Sequence, residues 1–166
     1  MLHTRATLLA SAAVFAILAC SAPAAETKAA PDNSADIAAL KAMQDREFAA
    51  LQGGNLDTMV SLYTSDVMMM APGMPAVSGS DALRKFLEAF LKESSVTGKY
   101  TSADVQVVGD VGIVHYTGEM TATPKKGGKP ATEIIKGLHI YKRQADGSWK
   151  IAQDVWNTDA PEAPAK

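Results

Sequence analysis

The chain has 166 residues, 16 Lys and Arg against 18 Asp and Glu, and a formal net charge of −2. That length fits one ordinary core rather than two, and the near-balanced charge excludes a basic nucleic-acid surface. A single cysteine, Cys20, excludes intrachain disulfides and multi-cysteine metal sites.

Residues 1–19 form an apolar leader with Arg5 in its polar start and a 12-residue run, Leu8 to Ala19, broken only by Ser11. Spanning a bilayer takes about 20 apolar residues, so the run reads as a signal-peptide core. It ends in Ile17-Leu18-Ala19-Cys20, which resembles a bacterial lipobox. The resemblance implies cleavage before Cys20 and lipidation of that residue. Acyl chains contribute about 0.8 kcal/mol per buried methylene, enough in combination for stable anchoring. Plain export with cleavage near Ala22-Pro23-Ala24, or a retained anchor, are the alternatives. Ser21 after the cysteine points, by the sorting rule of enteric bacteria, to the outer membrane. Residues 20–32 are Ala/Pro-rich and read as a flexible tether, and 159–166 as a frayed tail. The folded domain is therefore expected over 33–158.

Asn33 and Asp36 suit a helix start, and Ile37, Leu40, Gln44, Glu47, Phe48 and Leu51 recur at helical spacing up to Gly53-Gly54. A short helix is expected over Asn55 to Tyr63, a strand over Val67 to Ala71, and a third helix capped by Ser80 with Leu83, Phe86, Leu87 and Phe90 on one face. Four strands should follow, over Tyr100–Val108, Val111–Ala122, Thr132–Arg143 and Ser148–Asn157, joined by turn-like segments. Helices followed by a meander define an α+β layout.

Gly54-Asn55-Leu56-Asp57, Leu62-Tyr63, Asp66, Val77-Ser78-Gly79, Val107-Val108-Gly109-Asp110-Val111, Asp146-Gly147-Ser148-Trp149-Lys150-Ile151 and Asp154-Val155-Trp156-Asn157 occur in an order that resembles the nuclear transport factor 2-like superfamily, in particular its SnoaL-like and ketosteroid isomerase-like members. The resemblance implies a cone-shaped fold: three helices on a curved antiparallel sheet around a cavity. It further implies a homodimer, and a pocket lined by Phe48, Met69, Ala71, Phe86, Phe90, Leu138, Ile140 and Trp156. The isomerase's general-base aspartate falls on Ala71, its oxyanion tyrosine on Glu47 and its oxyanion carboxylic acid on Leu138. Steroid isomerisation by that mechanism is therefore not expected. Histidine positions on the last strand of many SnoaL-like relatives fall on Gln153 and Val155.

Alternation places Ile113, His115, Thr117 and Glu119 on one strand face and Val114, Tyr116 and Met120 on the other. Alignment to the isomerase favours the His115 face as the inner one. The last hairpin has two registers. A three-residue loop, Ala145-Asp146-Gly147, sets Leu138 opposite Asp154 and agrees with the family layout; a two-residue Asp146-Gly147 turn sets His139 there.

Under the first register, Glu47, His115 and Asp154 converge as candidate acid-base residues, with Glu119 on the same face. The bland reading is that Asp154 and His115 merely satisfy each other. The expected function is cavity binding of a small apolar molecule by an envelope lipoprotein. The alternatives are an isomerase-, dehydratase- or cyclase-type enzyme, and a non-catalytic scaffold. Neither His115 nor His139 has metal-ligand spacing, and no cofactor is expected. Met68, Met69, Met70 and Met74 suit core packing, Lys125, Lys126 and Lys129 a solvated tip, and Tyr141 and Trp149 the outer sheet face or a dimer contact.

Overall fold

A computed structural model describes residues 32–159. The leader, Cys20 and nearly all of the proposed tether and tail lie outside the described residues. The order of elements is α1 (Ser34–Gln52), α2 (Leu56–Ser61), β1 (Tyr63–Met70), β2 (Val77–Ser78), α3 (Ser80–Glu93), β3 (Ser94–Val108), β4 (Val111–Pro124), β5 (Ala131–Arg143) and β6 (Trp149–Thr158). The six strands form one sheet in the order β2-β1-β6-β5-β4-β3. It is antiparallel except where β1 runs parallel to β6.

α1 buries Leu40, Gln44, Glu47 and Phe48, the stripe that its 3.6-residue period predicts. Its start is tied differently from expectation. Asp32 Oδ1 accepts from Ser34 N, while the Asn33 side chain donates to the Val107 carbonyl. Arg143 then clamps Asp36 of α1 through two bonds of 2.8 Å, reaches Asp110 in the β3–β4 turn, and lies over the Trp149 ring. Trp149 is thereby buried under α1 rather than placed on the outer face. α2 stops at Ser61, so Tyr63 opens β1 instead of closing a helix. Its start is capped by Asn55, whose side chain accepts from Thr58 N. α3 is preceded by Gly79 at φ +84° with no side-chain cap, so Ser80 is its first residue and not its cap.

Leu40, Met59, Val67, Leu83, Val114, Tyr141 and Ile151 are among the residues of the core between helices and sheet. Leu40 packs over Gly112: a Cβ there would stand 2.5 Å from Leu40 Cδ1. Met69 is buried in this core and Met74 packs against it, whereas Met68 is exposed. At the β4–β5 tip, Lys125 Nζ donates to Leu91 O and Lys126 pairs with Glu93, which fastens the tip to the end of α3.

Two β-bulges decide what faces inward. In β3 one lies between Tyr100 and Ser102, so Val96 and Tyr100 point inward on one side of it and Ala103, Val105 and Val107 on the other. In β6 the extra residue is Ala152: Tyr141 pairs with Ile151, but Ile140 pairs with Gln153. Each bulge exchanges the two faces of its strand for all residues beyond it.

Candidate acid-base site

The β5–β6 turn is the three-residue loop Ala145-Asp146-Gly147, with Gly147 at φ +83° and Gln144 N bonded to Ser148 O. Yet His139, not Leu138, stands opposite Asp154. The expected turn is present, and the Ala152 bulge shifts the register by one residue after it. The inner face is accordingly the Tyr116 face. His115 turns outward with 59% of its side chain exposed, beside Asp104 at 3.8 Å. Glu119 is also exposed. The predicted association of His115 with Asp154 is therefore replaced by one with His139.

His139 is 1% exposed, Glu47 5% and Asp154 6%. They arrive from β5, α1 and β6. His139 Nε2 lies 3.2 Å from Asp154 Oδ1, and Nδ1 lies 3.7 Å from Glu47 Oε2, so one imidazole stands between two carboxylates. All four tyrosines of the chain surround this group. Tyr63 donates to Glu47 Oε1 at 2.5 Å and reaches Asp154 Oδ2 at 3.4 Å. Tyr100 donates to Glu47 Oε2 at 3.0 Å, Tyr116 meets Asp154 Oδ1 at 3.5 Å, and the Tyr141 hydroxyl is 3.2 Å from His139 Nδ1. Tyr141 thus belongs to the inner face, contrary to the outer position expected.

Tyr116 reaches Asp154 because Gly137 lies beside it. A Cβ on Gly137 would stand 2.5 Å from the Tyr116 hydroxyl and 2.5 Å from the Val155 carbonyl. Tyr116, Gly137 and Trp156 form one cross-strand row, and the missing side chain is the space the tyrosine uses.

Burial pushes the Glu47 carboxyl above the usual carboxylate range, reinforced by the Asp154 charge and opposed by His139 and the tyrosine hydroxyls. Burial works against a charged His139, but the Glu47 and Asp154 charges outweigh it and raise the imidazole above its ordinary value. Burial first, and the two carboxylates next, hold the Tyr63 phenol protonated far beyond its usual range. Glu47, His139 and the phenols are thus all shifted toward their protonated forms.

A cavity of about 120 Å³ opens onto the cluster. Phe48, Met69, Phe86, Phe90 and Trp156 line it as the resemblance implies, joined by Leu51, Met120 and Ile135. Three expected lining residues are not there. Ala71 follows the end of β1, and Leu138 and Ile140 face outward because of the same register shift; Leu138 borders an open depression with His115 and Lys136 instead. One ligand atom from each of Glu47, His139 and Asp154 lies within 4.8 Å of the others, a spacing a divalent cation could use. Each carboxylate already accepts from tyrosine, however, so the group is satisfied as a hydrogen-bonded cluster.

Helices on one face of a curved mixed sheet, with an apolar cavity ending in buried acid-base groups, define a nuclear transport factor 2-like domain. Within that class, residues 45–152 match the SnoaL-like domain model, and the chain belongs to that family. A ketosteroid isomerase-like protein from Erwinia carotovora atroseptica SCRI1043 has 23% identity and a TM-score of 0.69, covering 77% of this chain and 99% of its own. An NTF2-like protein from Streptomyces avermitilis, provisionally assigned as a dehydratase, has 20% identity and a TM-score of 0.68 over 76% of this chain and 98% of its own. A provisionally assigned scytalone dehydratase from Novosphingobium aromaticivorans DSM 12444 has 16% identity and a TM-score of 0.71, over 81% of this chain and 91% of its own. At these identities the likeness shows the fold alone. The chain has no match among curated proteins.

Proposed function

We propose that this domain binds a small apolar molecule and performs acid-base chemistry on it, of the isomerase or dehydratase type. The observation that carries the reading is His139, buried between two carboxylates at the end of an otherwise apolar cavity. Asp154 takes a proton from the carbon beside a carbonyl, and the electron pair moves onto the carbonyl oxygen. Glu47, whose protonated form burial favours, donates at the oxygen or at a leaving hydroxyl. His139 then resets the site. It stands between the two carboxylates, 3.2 Å from Asp154 and 3.7 Å from Glu47, where it can exchange protons with the pair between turnovers.

The likeness to isomerase-like and dehydratase-like structures supports this reading at the level of fold. The test is exchange of the α-protons of cyclohexanone in D₂O, followed by NMR. Exchange above the buffer rate is expected, with a loss of about 10²-fold in Asp154→Asn, within the range for one acid-base group. Saturable ketone binding with no exchange would leave a binding module and remove the enzyme.

We also propose that Cys20 anchors the domain to the cell envelope, outer membrane favoured. Mass spectrometry of the mature N-terminus should find an acylated Cys20; a start at Ala25 would refute it. A second copy of the chain is proposed to cover the outer-face apolar stripe of Ile113, Leu138, Ile140 and Val155. Light scattering at micromolar concentration should give a dimer, and a monomer would refute it.

A further inference from the structure

The cavity carries an unequal set of charges, and the inequality bears on what can enter. Among its lining residues the ionisable groups are Glu47, Asp154, His139 and three tyrosines, with no Lys or Arg. The single imidazole is already engaged by both carboxylates, one at each nitrogen. The remaining walls are aromatic and aliphatic: Phe48, Phe90, Met120, Ile135 and Trp156. Three cations of the sheet are committed elsewhere. Arg143 binds Asp36 and Asp110, Lys136 pairs with Asp159, and Lys142 pairs with Asp66.

From this distribution we infer that the cavity is a charge filter: it admits uncharged molecules of about one ring and rejects carboxylates and phosphates of the same size. An anion entering would lose its water with no uncommitted cation to receive it, and would lie beside the Asp154 carboxylate that already holds His139. A neutral ring would lose little hydration and gain contact with the aromatic walls. The volume sets the size class. An engineered apolar cavity of ~150 Å³ accommodates benzene, and the cavity here is about 120 Å³.

The inference rests on the proposed site, since it names the substrate class of that same cavity. It excludes free acids and phosphorylated compounds as substrates, and it assigns the choice to the Coulomb field rather than to shape.

Benzyl alcohol and benzoate form a matched pair of probes, similar in size and opposite in charge state at pH 7. Titration by NMR and calorimetry against the mature protein should show benzyl alcohol binding in the cavity, with benzoate at least tenfold weaker. Two variants test the cause. Asp154→Asn removes a carboxylate charge, and Met120→Lys adds a cation to the wall. Each should improve benzoate relative to benzyl alcohol by about tenfold, with retained folding checked by circular dichroism. Equal affinity of the two probes for the wild type would overturn the filter, as would failure of benzyl alcohol to bind. An unchanged ratio in both folded variants would overturn the electrostatic cause. Binding is read without turnover, so the filter and the chemistry can fail separately. Neutral binding without α-proton exchange defeats the enzyme alone, and turnover of an anionic substrate defeats the filter alone.

Discussion

The two faces of β4 and β5 use the same strands to opposite ends. On the inner face Tyr116, His139 and Tyr141 are buried: Tyr116 donates to Asp154 of β6, His139 lies 3.2 Å from the same carboxylate, and His139 and Tyr141 meet each other within β5. On the outer face His115, Lys136 and Lys142 stand in water, and their partners Asp104, Asp159 and Asp66 are exposed too. The same residue type therefore has two meanings within one hairpin. An exposed ion pair contributes little, because water screens it and long side chains lose freedom in forming it. A buried polar group must be satisfied, and once satisfied it is held in one geometry.

The sharpest way to break this comparison is to treat the two histidines alike. His139→Gln should lower α-proton exchange by about 10²-fold, while His115→Gln should leave the rate within about twofold. Equal losses in the two variants would mean that the faces are not functionally distinct. A thermodynamic version comes next. Leu40→Ala removes a fully buried side chain packed over Gly112 and should cost roughly 3 kcal/mol in urea unfolding. Ile134→Ala, 46% exposed on the outer face, should change stability by less than about 0.5 kcal/mol.

The smallest effect is the pH dependence of stability. His139 and Glu47 both have raised values in the fold. Groups raised by folding stabilise it fully below their unfolded values, about 6.5 for histidine and 4.3 for glutamate. That contribution is lost as pH rises through the higher folded values. The groups facing them are Tyr63, Tyr100, Tyr116, Tyr141 and Asp154, and the four phenols also favour the protonated side. On the surface, Asp36 and Asp146 are lowered by hydrogen bonds from Arg143 and Ser148, so their contribution is lost only in acid. Stability should therefore peak at mildly acidic pH and decline toward pH 9. Greater stability at pH 8 than at pH 6, measured by urea midpoints, would contradict the assignment.

Much of the architecture was legible because helices and hairpins announce themselves locally. The apolar stripe of α1 brought Glu47 inward, and its two polar members, Gln44 and Glu47, already marked something other than core. The Ala145-Asp146-Gly147 turn was legible from its glycine. His139 was not fixed by those signals, because one inserted residue in β6 reverses the parity that the turn sets. A trace of that insertion is present in the sequence. Trp149 and Ile151 share one parity, Asp154 and Trp156 the other, and Ile151-Ala152 between them are adjacent and both buried. The bulge beside Tyr100 left a similar change from Val96 and Tyr100 to Ala103 and Val105. The convergence of the tyrosines had no local signal at all, since they come from β1, β3, β4 and β5 and meet only after the sheet has curved.

That convergence gives the molecule a built-in optical label. The chain has four tyrosines and two tryptophans, and every phenol borders the same buried group. Near-ultraviolet tyrosine dichroism therefore reports on the interior cluster with no contribution from surface phenols. Trp156 supplies fluorescence at the cavity wall, and Trp149 at the Arg143 clamp. Ligand entry and loosening of the first helix can thus be followed in native protein by two chromophores set apart by the fold itself.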